Sequence, residues 1–212
     1  MKPLSSKKRR GDKIISLQTT SRLKTIPLSR QYILFNKPFN VLSQFTSEGG
    51  KQSLKNFNFP EGVYPVGRLD YDSEGLLLLT NDNEVKHRLT DPRFDHSKTY
   101  LVQVERIPSS EALKKLRTGI FIEGKKTKPA EVNILAEEPK LPERTVPIRF
   151  RKNVPTAWIE ITLREGRNRQ VRKMTAAAGH PTLRLIRVAI GKLTIGTLKQ
   201  GEWKFISKNE IF

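Results

Sequence analysis

The sequence predicts an α+β fold built on a mixed, mostly antiparallel sheet with peripheral helices. Three observations carry that expectation. Segments of strand character outnumber those with a helical apolar period, and the helical ones are scattered rather than alternating with strands as βαβ units require. Four consecutive leucines, Leu76 to Leu79, leave no side for solvent, so a strand there is buried on both faces. Other segments alternate apolar and polar residues, the period-2 pattern of a strand with one covered face.

In chain order, residues 1–30 read as a basic arm. They hold nine Lys or Arg against Asp12 alone, include Lys7-Lys8-Arg9-Arg10, and have few apolar residues. Such a segment cannot offset its own ordering entropy, so it is expected to be disordered and to contact RNA. Residues 31–212 are expected to form one catalytic-sized domain. Tyr32-Ile33-Leu34-Phe35, closed by Asn36-Lys37-Pro38, is a strand followed by a turn. Leu54 to Phe57 fits one helical turn, and Val63 to Val66 a short strand leading into Gly67. After the leucines, Thr80-Asn81-Asp82-Asn83 supplies a turn and an N-cap for a helix over Glu84 to Leu89. Tyr100 to Glu105 is β-branched and alternating. Ser109-Ser110-Glu111 opens a helix in which Ala112, Leu113, Leu116 and Ile120 recur at helical spacing, with Gly119 as its stop. Glu131 to Leu135 fits a strand. Residues 137–156, with four prolines and five Lys or Arg, read as a long basic loop. Ala157 to Leu163 alternates as a half-covered strand, a helix is expected over Asn168 to Ala178, and Leu183 to Ile190 and Glu202 to Ile206 are closing strands.

The charge points to a polyanionic partner. Lys and Arg number 40 against 21 Asp and Glu, a formal +19, of which +8 falls in the first 30 residues and +11 in the rest. Neutralising phosphates releases counterions, so a surplus of this size favours nucleic acid. The chain has no cysteine, which excludes disulfides, thiolate metal sites and thiol catalysis, and fits a reducing, cytoplasmic setting. No apolar run approaches the ~20 residues of a membrane span, and no secretory h-region is present; no membrane partner is expected.

Familiar chemistry is missing. His87, His96 and His180 are far apart and lack metal-ligand spacing, so no metal site is expected, and there is no phosphate-binding glycine loop or nucleophile elbow. Two segments stand out. The first, Gly67 to Gly75, carries Arg68, Asp70, Asp72 and Glu74 between core strands. Loops in such places commonly carry function, yet on pattern alone Asp70 reads as an acidic turn residue capping backbone donors rather than as a reacting group. The second, Arg164 to Met174, has four arginines in nine residues. Asn168 is placed to N-cap the helix. Arg169, Arg172 and Lys173 then share one face, while Val171, Met174 and Ala178 form an apolar one. The basic face fits either phosphate or plain solvent.

Taken together, these residues resemble a known family. GRLDYDSEGLLLLTND at 67–82 closely resembles the signature of the ribosomal pseudouridine synthases typified by the small-subunit enzyme A. Tyr100 with Leu101 to Glu105, EGRNRQVRKM at 165–174, RLIRVAIG at 184–191 and the opening Asn36-Lys37-Pro38 look like its further motifs in the right order. The resemblance implies the pseudouridine synthase fold with a central RNA-binding cleft. It also implies isomerisation of uridine to pseudouridine after base flipping, with no cofactor. It implies roles by motif matching. Asp70 is the catalytic nucleophile, Arg172 its ion-pair partner, and Tyr100 the aromatic that stacks on the flipped base. Leu185 is an apolar pocket residue, and Arg68 an arginine that enters the base stack. Asp72 and Glu74 are expected to order the loop. Arg167, Asn168, Arg169 and Lys173 are expected to bind RNA. The separate N-terminal RNA-binding domain of many relatives does not fit within residues 1–30, so the chain looks most like the large-subunit enzyme E subgroup. The expected partner is large-subunit ribosomal RNA, and the expected state a monomer. Two other readings remain open at this point: a non-catalytic RNA-binding protein, and a metal-dependent nuclease built on Asp70, Asp72 and Glu74.

Overall fold

The protein is described by a computed structural model over residues 29–144, 146–148, 151 and 153–212. Residues 1–28, which hold nearly all of the basic arm, lie outside the described residues.

Nine strands make one sheet: β1 (Tyr32–Lys37), β2 (Tyr64–Pro65), β3 (Glu74–Thr80), β4 (Lys98–Glu105), β5 (Glu131–Ile134), β6 (Thr156–Leu163), β7 (Thr182–Ile190), β8 (Leu193–Thr194) and β9 (Trp203–Phe205). The order is β9-β1-β3-β7-β4-β6-β5, with β2 on β3 and β8 on β7. Every pairing is antiparallel except β3 with β7, which run parallel and meet only at Glu74–Ile186 and Gly75–Arg187. The sheet is therefore mixed and mostly antiparallel, as expected.

The leucine run is buried on both faces, and each face feeds a different core. Leu76 and Leu78 join Tyr32, Leu34, Val85 and Leu89, whereas Leu77 and Leu79 join Ile33, Phe35, Leu54 and Val63. The first core is closed by α1 (Asn83–Thr90) and by α4 (Lys208–Ile211), a helix too short to show an apolar period and opened by Ser207 and Glu210 as a capping box. Asp82 caps α1, its carboxylate accepting from the Glu84 and Val85 amides. A third core holds β4, β6 and β7 against α2 (Ser110–Thr118) and α3 (Gln170–Ala177). Ser109 caps α2. Gly119 stops it at φ 90°, where a Cβ would stand 2.4 Å from the Thr127 carbonyl oxygen.

Two boundaries differ from expectation in ways that affect the site. Helix α3 starts at Gln170 and its N-cap is Arg169, not Asn168. Arg169 takes the left-handed conformation at φ 51°, which turns the chain one residue later than a side-chain cap at Asn168 would. Ile120 lies beyond α2 and packs on the core from the following segment. Small pairings of two residues, Val41–Leu42 with Gln52–Ser53 and Phe121–Ile122 with Lys125–Lys126, are too short to show a period in the sequence.

Candidate active site

The acidic loop lies just before β3 and is held from below. Ser43 Oγ donates to the Leu69 carbonyl (2.8 Å) and accepts from the Leu69 amide (3.1 Å). The Asn40 amide donates to the Tyr71 carbonyl and the Ser73 amide to that of Asp70. The segment making these contacts is itself tied by Lys37, whose Nζ donates to the carbonyls of Pro38 (2.9 Å) and Val41 (2.8 Å). Lys37 is fully buried. That burial pulls its ammonium pKa down to about 7, against the attraction of Glu74, Asp72 and Asp70, while Arg187 adds to the lowering.

The three carboxylates of the loop have different surroundings. Glu74 is 1% exposed and accepts from Arg184 Nε (2.9 Å), Arg184 Nη2 (2.8 Å) and Gln200 Nε2 (2.6 Å). Asp72 accepts two parallel bonds from Arg169 (2.8 and 2.7 Å). Burial opposes the ionisation of Asp72, but those bonds and the charges of Arg172 and Arg169 outweigh it and hold its pKa below the usual value. Asp70 is 29% exposed; among the described residues its carboxylate has only Arg169 Nη1 within ion-pair range, at 3.7 Å. The loop-ordering part expected of Asp72 and Glu74 thus has a concrete form.

The arginine beside Asp70 is Arg169, not Arg172. Arg172 donates through Nη2 to the backbone carbonyl of Asp72 (2.7 Å), and its Nε stands 3.4 Å from the Asp72 carboxylate. The late start of α3 explains the exchange. Arg169, at the cap, spreads over the front of the loop, while Arg172, one turn further on and only 13% exposed, reaches the loop's backbone.

Asp70 lines a cavity of about 640 Å³ with Arg68, Tyr100, Leu185, Arg187 and the Arg164–Gln170 segment. Tyr100 and Leu185 come from neighbouring strands: Tyr100 pairs in register with Arg187, and Val102 with Leu185. Leu185 is also part of the third core. Arg68 is exposed at the rim, its Nη2 3.4 Å from Gln44 Oε1. The cations of the second segment do not form one open face. Arg167 donates to the Ile122 and Lys125 carbonyls, Lys173 Nζ to Glu123 (2.6 Å), and Asn168 Oδ1 stands 3.5 Å from Lys173 Nζ. The opposite face of α3 is apolar as expected, with Val171 and Met174 buried and Ala178 packed beside them.

Pattern reading missed Lys37, Ser43, Arg184, Gln200 and Arg187 as parts of this site. For Lys37 a signal existed: a lysine ends a strand whose other residues are almost all apolar. For Arg184 and Arg187 it was two arginines three residues apart within an otherwise apolar strand, where an unpaired charge is not tolerated.

Comparison with known proteins agrees with this geometry. Residues 31–177 match the sequence profile of the family described as RNA pseudouridylate synthase, a span that includes Asp70, Tyr100 and Arg172 and stops short of Leu185. The chain is 52% identical over 174 residues to "Ribosomal large subunit pseudouridine synthase E" of Xanthomonas campestris, covering 81% of this chain and 93% of that protein. It is 48% identical over 178 residues to the protein of the same name from Vibrio parahaemolyticus, covering 84% and 74%. It is 38% identical over 182 residues to "Ribosomal large subunit pseudouridine synthase B" of Bacillus subtilis, covering 85% and 69%. A solved crystal structure of a pseudouridylate synthase superposes with a TM-score of 0.70 at 29% identity, covering 86% of this chain and 72% of that one. The chain belongs to the RNA pseudouridylate synthase family, and within it is most similar to the large-subunit enzyme E group of isomerases.

Proposed function

We propose that this enzyme converts a specific uridine of large-subunit ribosomal RNA to pseudouridine, with Asp70 as the reacting carboxylate and no cofactor. The observation that carries the reading is the unequal engagement of the three loop carboxylates. Glu74 and Asp72 are hydrogen-bonded to arginines, and of the three Asp70 alone faces the cavity, its carboxylate without a hydrogen-bonded partner among the described residues. A carboxylate so placed can react at a ribose, whereas one already saturated cannot. The same division weighs against a nuclease, because the three carboxylates do not converge on a common point where a cation would sit.

The chemistry is an exchange of bonds within one nucleotide. The bond from ribose C1′ to uracil N1 breaks, the base turns, and C1′ bonds to C5, whose proton is then lost while N1 gains one. Nothing is oxidised or hydrolysed, so the balance needs no redox or nucleotide cofactor. Asp70 serves either by adding to C1′ or by taking a ribose proton to give a glycal. Arg169, 3.7 Å away, orients it. Tyr100 gives the base a flat surface, Leu185 closes the pocket on an apolar side, and Arg68 at the rim fills the place the uridine leaves in its stack. Arg167, Asn168 and Lys173 border the path of the RNA backbone, and residues 1–30 add charge to its binding. The enzyme acts as a monomer in the cytoplasm, where its RNA is assembled.

The test is release of the C5 proton. Large-subunit RNA labelled with tritium at uridine C5 should lose label to water with the wild-type chain and show one new pseudouridine on mapping. Asp70→Asn should bind the same RNA and release label at least about 10³-fold more slowly. Turnover near the wild-type rate in Asp70→Asn would remove Asp70 from the reaction.

A further inference from the structure

Beside Tyr100 the cavity contains charge that the reaction at Asp70 does not use. Strands β3 and β7 touch only at their first shared residues and then diverge. Arg187 lies at that divergence. Its Nε donates to the Leu76 carbonyl (2.9 Å), while its Nη2 is buried and has no hydrogen-bond partner among the described residues. The residue is 4% exposed and lines the cavity. On the neighbouring strand Arg187 pairs with Tyr100, and Lys98, two residues before Tyr100 and so on the same face, also lines the cavity. Among the described residues Lys98 Nζ donates only to the His96 carbonyl (3.1 Å). Burial lowers its pKa, the Arg187 charge lowers it further, and Asp95 offsets this in part.

Two cations in one pocket wall ordinarily have carboxylates beside them. Here neither Arg187 nor Lys98 has one within 4 Å among the described residues. Asp95 is taken by Lys128 (2.9 Å) and Arg164 (3.8 Å), and Glu74 by Arg184 (2.8 Å). A buried guanidinium donor left open beside a second cation calls for an anion with several acceptor oxygens. A neutral uracil carbonyl would satisfy one donor and leave the paired charge uncompensated.

We propose that Arg187 and Lys98 form an anion subsite that takes a phosphate flanking the target uridine, beside Tyr100 on the cavity wall. The subsite rests on the reading of this cavity as the uridine site. It fixes the flipped nucleotide by its backbone while Tyr100 holds the base, so that ribose C1′ stops at Asp70. Arg187 and Lys98 are thus binding residues for the known substrate class, and the open donor of Arg187 is what an incoming phosphate oxygen satisfies.

The experiment is a titration of the full chain with uridine, uridine 5′-monophosphate and uridine 3′-monophosphate, read by calorimetry or amide resonances. One monophosphate should bind at least about tenfold more tightly than uridine, and which one does so identifies the phosphate. Arg187→Met and Lys98→Gln should each reduce that preference to under about threefold, and Arg187→Lys should keep part of it. Arg187 is buried, so its variant is compared only if its thermal transition shows it folded; Lys98→Gln, at a partly exposed position, carries the test alone otherwise. A wild-type chain that binds both monophosphates no better than uridine would overturn the proposal. So would a preference that survives in Lys98→Gln and in every folded Arg187 variant. Asp70→Asn separates the two readings: full turnover there removes Asp70 as nucleophile, while the monophosphate preference still reports on the subsite.

Discussion

The buried pair between Glu74 and Arg184 offers the sharpest energetic test. Arg184→Met removes two charge-assisted hydrogen bonds from a carboxylate that is 1% exposed, leaving it only Gln200. It also frees the Pro142 carbonyl, which accepts from Arg184 Nη2 at 3.0 Å. Removing one member of a buried ion pair typically costs about 3–5 kcal/mol, because the other charge stays in a poorly solvated place. For a chain of this size roughly 2–4 °C is lost per kcal/mol, so the thermal midpoint should fall by about 6–20 °C. Urea unfolding of wild type, Arg184→Met, Glu74→Leu and the double variant gives the full cycle. The double variant should be less destabilised than the sum of the singles by at least about 1 kcal/mol, since it leaves no buried charge alone. A single variant within about 0.5 kcal/mol of wild type, or strict additivity, would refute the reasoning.

Three further outcomes follow from the geometry. Lys37→Met should change the pH dependence of stability: with a folded pKa of about 7 against about 10.4 unfolded, the unfolded chain binds more protons between those values. Wild-type stability relative to the variant should therefore rise through that window by up to about 1.4 kcal/mol per pH unit and stay flat below it; a flat difference from pH 6 to 9 in urea midpoints would contradict this. Gly75→Ala should cost more than about 3 kcal/mol, because Gly75 has φ +105° and a Cβ there would meet the Arg187 carbonyl oxygen at 2.3 Å; soluble yield and thermal midpoint measure it, and a near-native midpoint would show that β3 and β7 can part. Arg169→Ala removes the one cation within 4 Å of the Asp70 carboxylate among the described residues, so kcat on RNA should fall about tenfold or more with KM changed far less; an unchanged kcat would leave Arg169 a loop tether only.

The sequence exposed those parts of the fold whose signals are local. The leucine run announced a strand covered on both sides, and Asp82 and Ser109 announced helix starts, because burial and capping act within a few residues. Neither α4 nor the two-residue pairings is long enough to carry a period, and the one local mark of α4, the Ser207–Glu210 capping box, was passed over. In the site, Asp70, Tyr100 and Leu185 were readable through motif order, and their common cavity agrees with it. The partner of Asp70 was not readable, because choosing between Arg169 and Arg172 depends on where α3 starts, and one left-handed residue decides that. Arg184 and Arg187 escaped attention for a related reason: their meaning lies in who stands opposite across a sheet, and pairing partners have no signature in the chain itself.

The long reach of these contacts also orders events during synthesis. Asp72 meets Arg169 across 97 residues and Glu74 meets Arg184 across 110. At a translation rate of roughly 5–20 residues per second, the acidic loop emerges about 5–20 s before the arginines that neutralise it. Through that interval β1 and β3 can already pair, since only about 40 residues separate them, but the loop holds three like charges with no counter-ion from α3 or β7. Until then Arg68 and the buried Lys37 are the cations nearest the loop, and only a chain extended through β7 holds the arginines that bond Asp72 and Glu74. The spacing of the partners makes the neutralised loop around Asp70 a late product of folding, complete only when β7 is in the sheet.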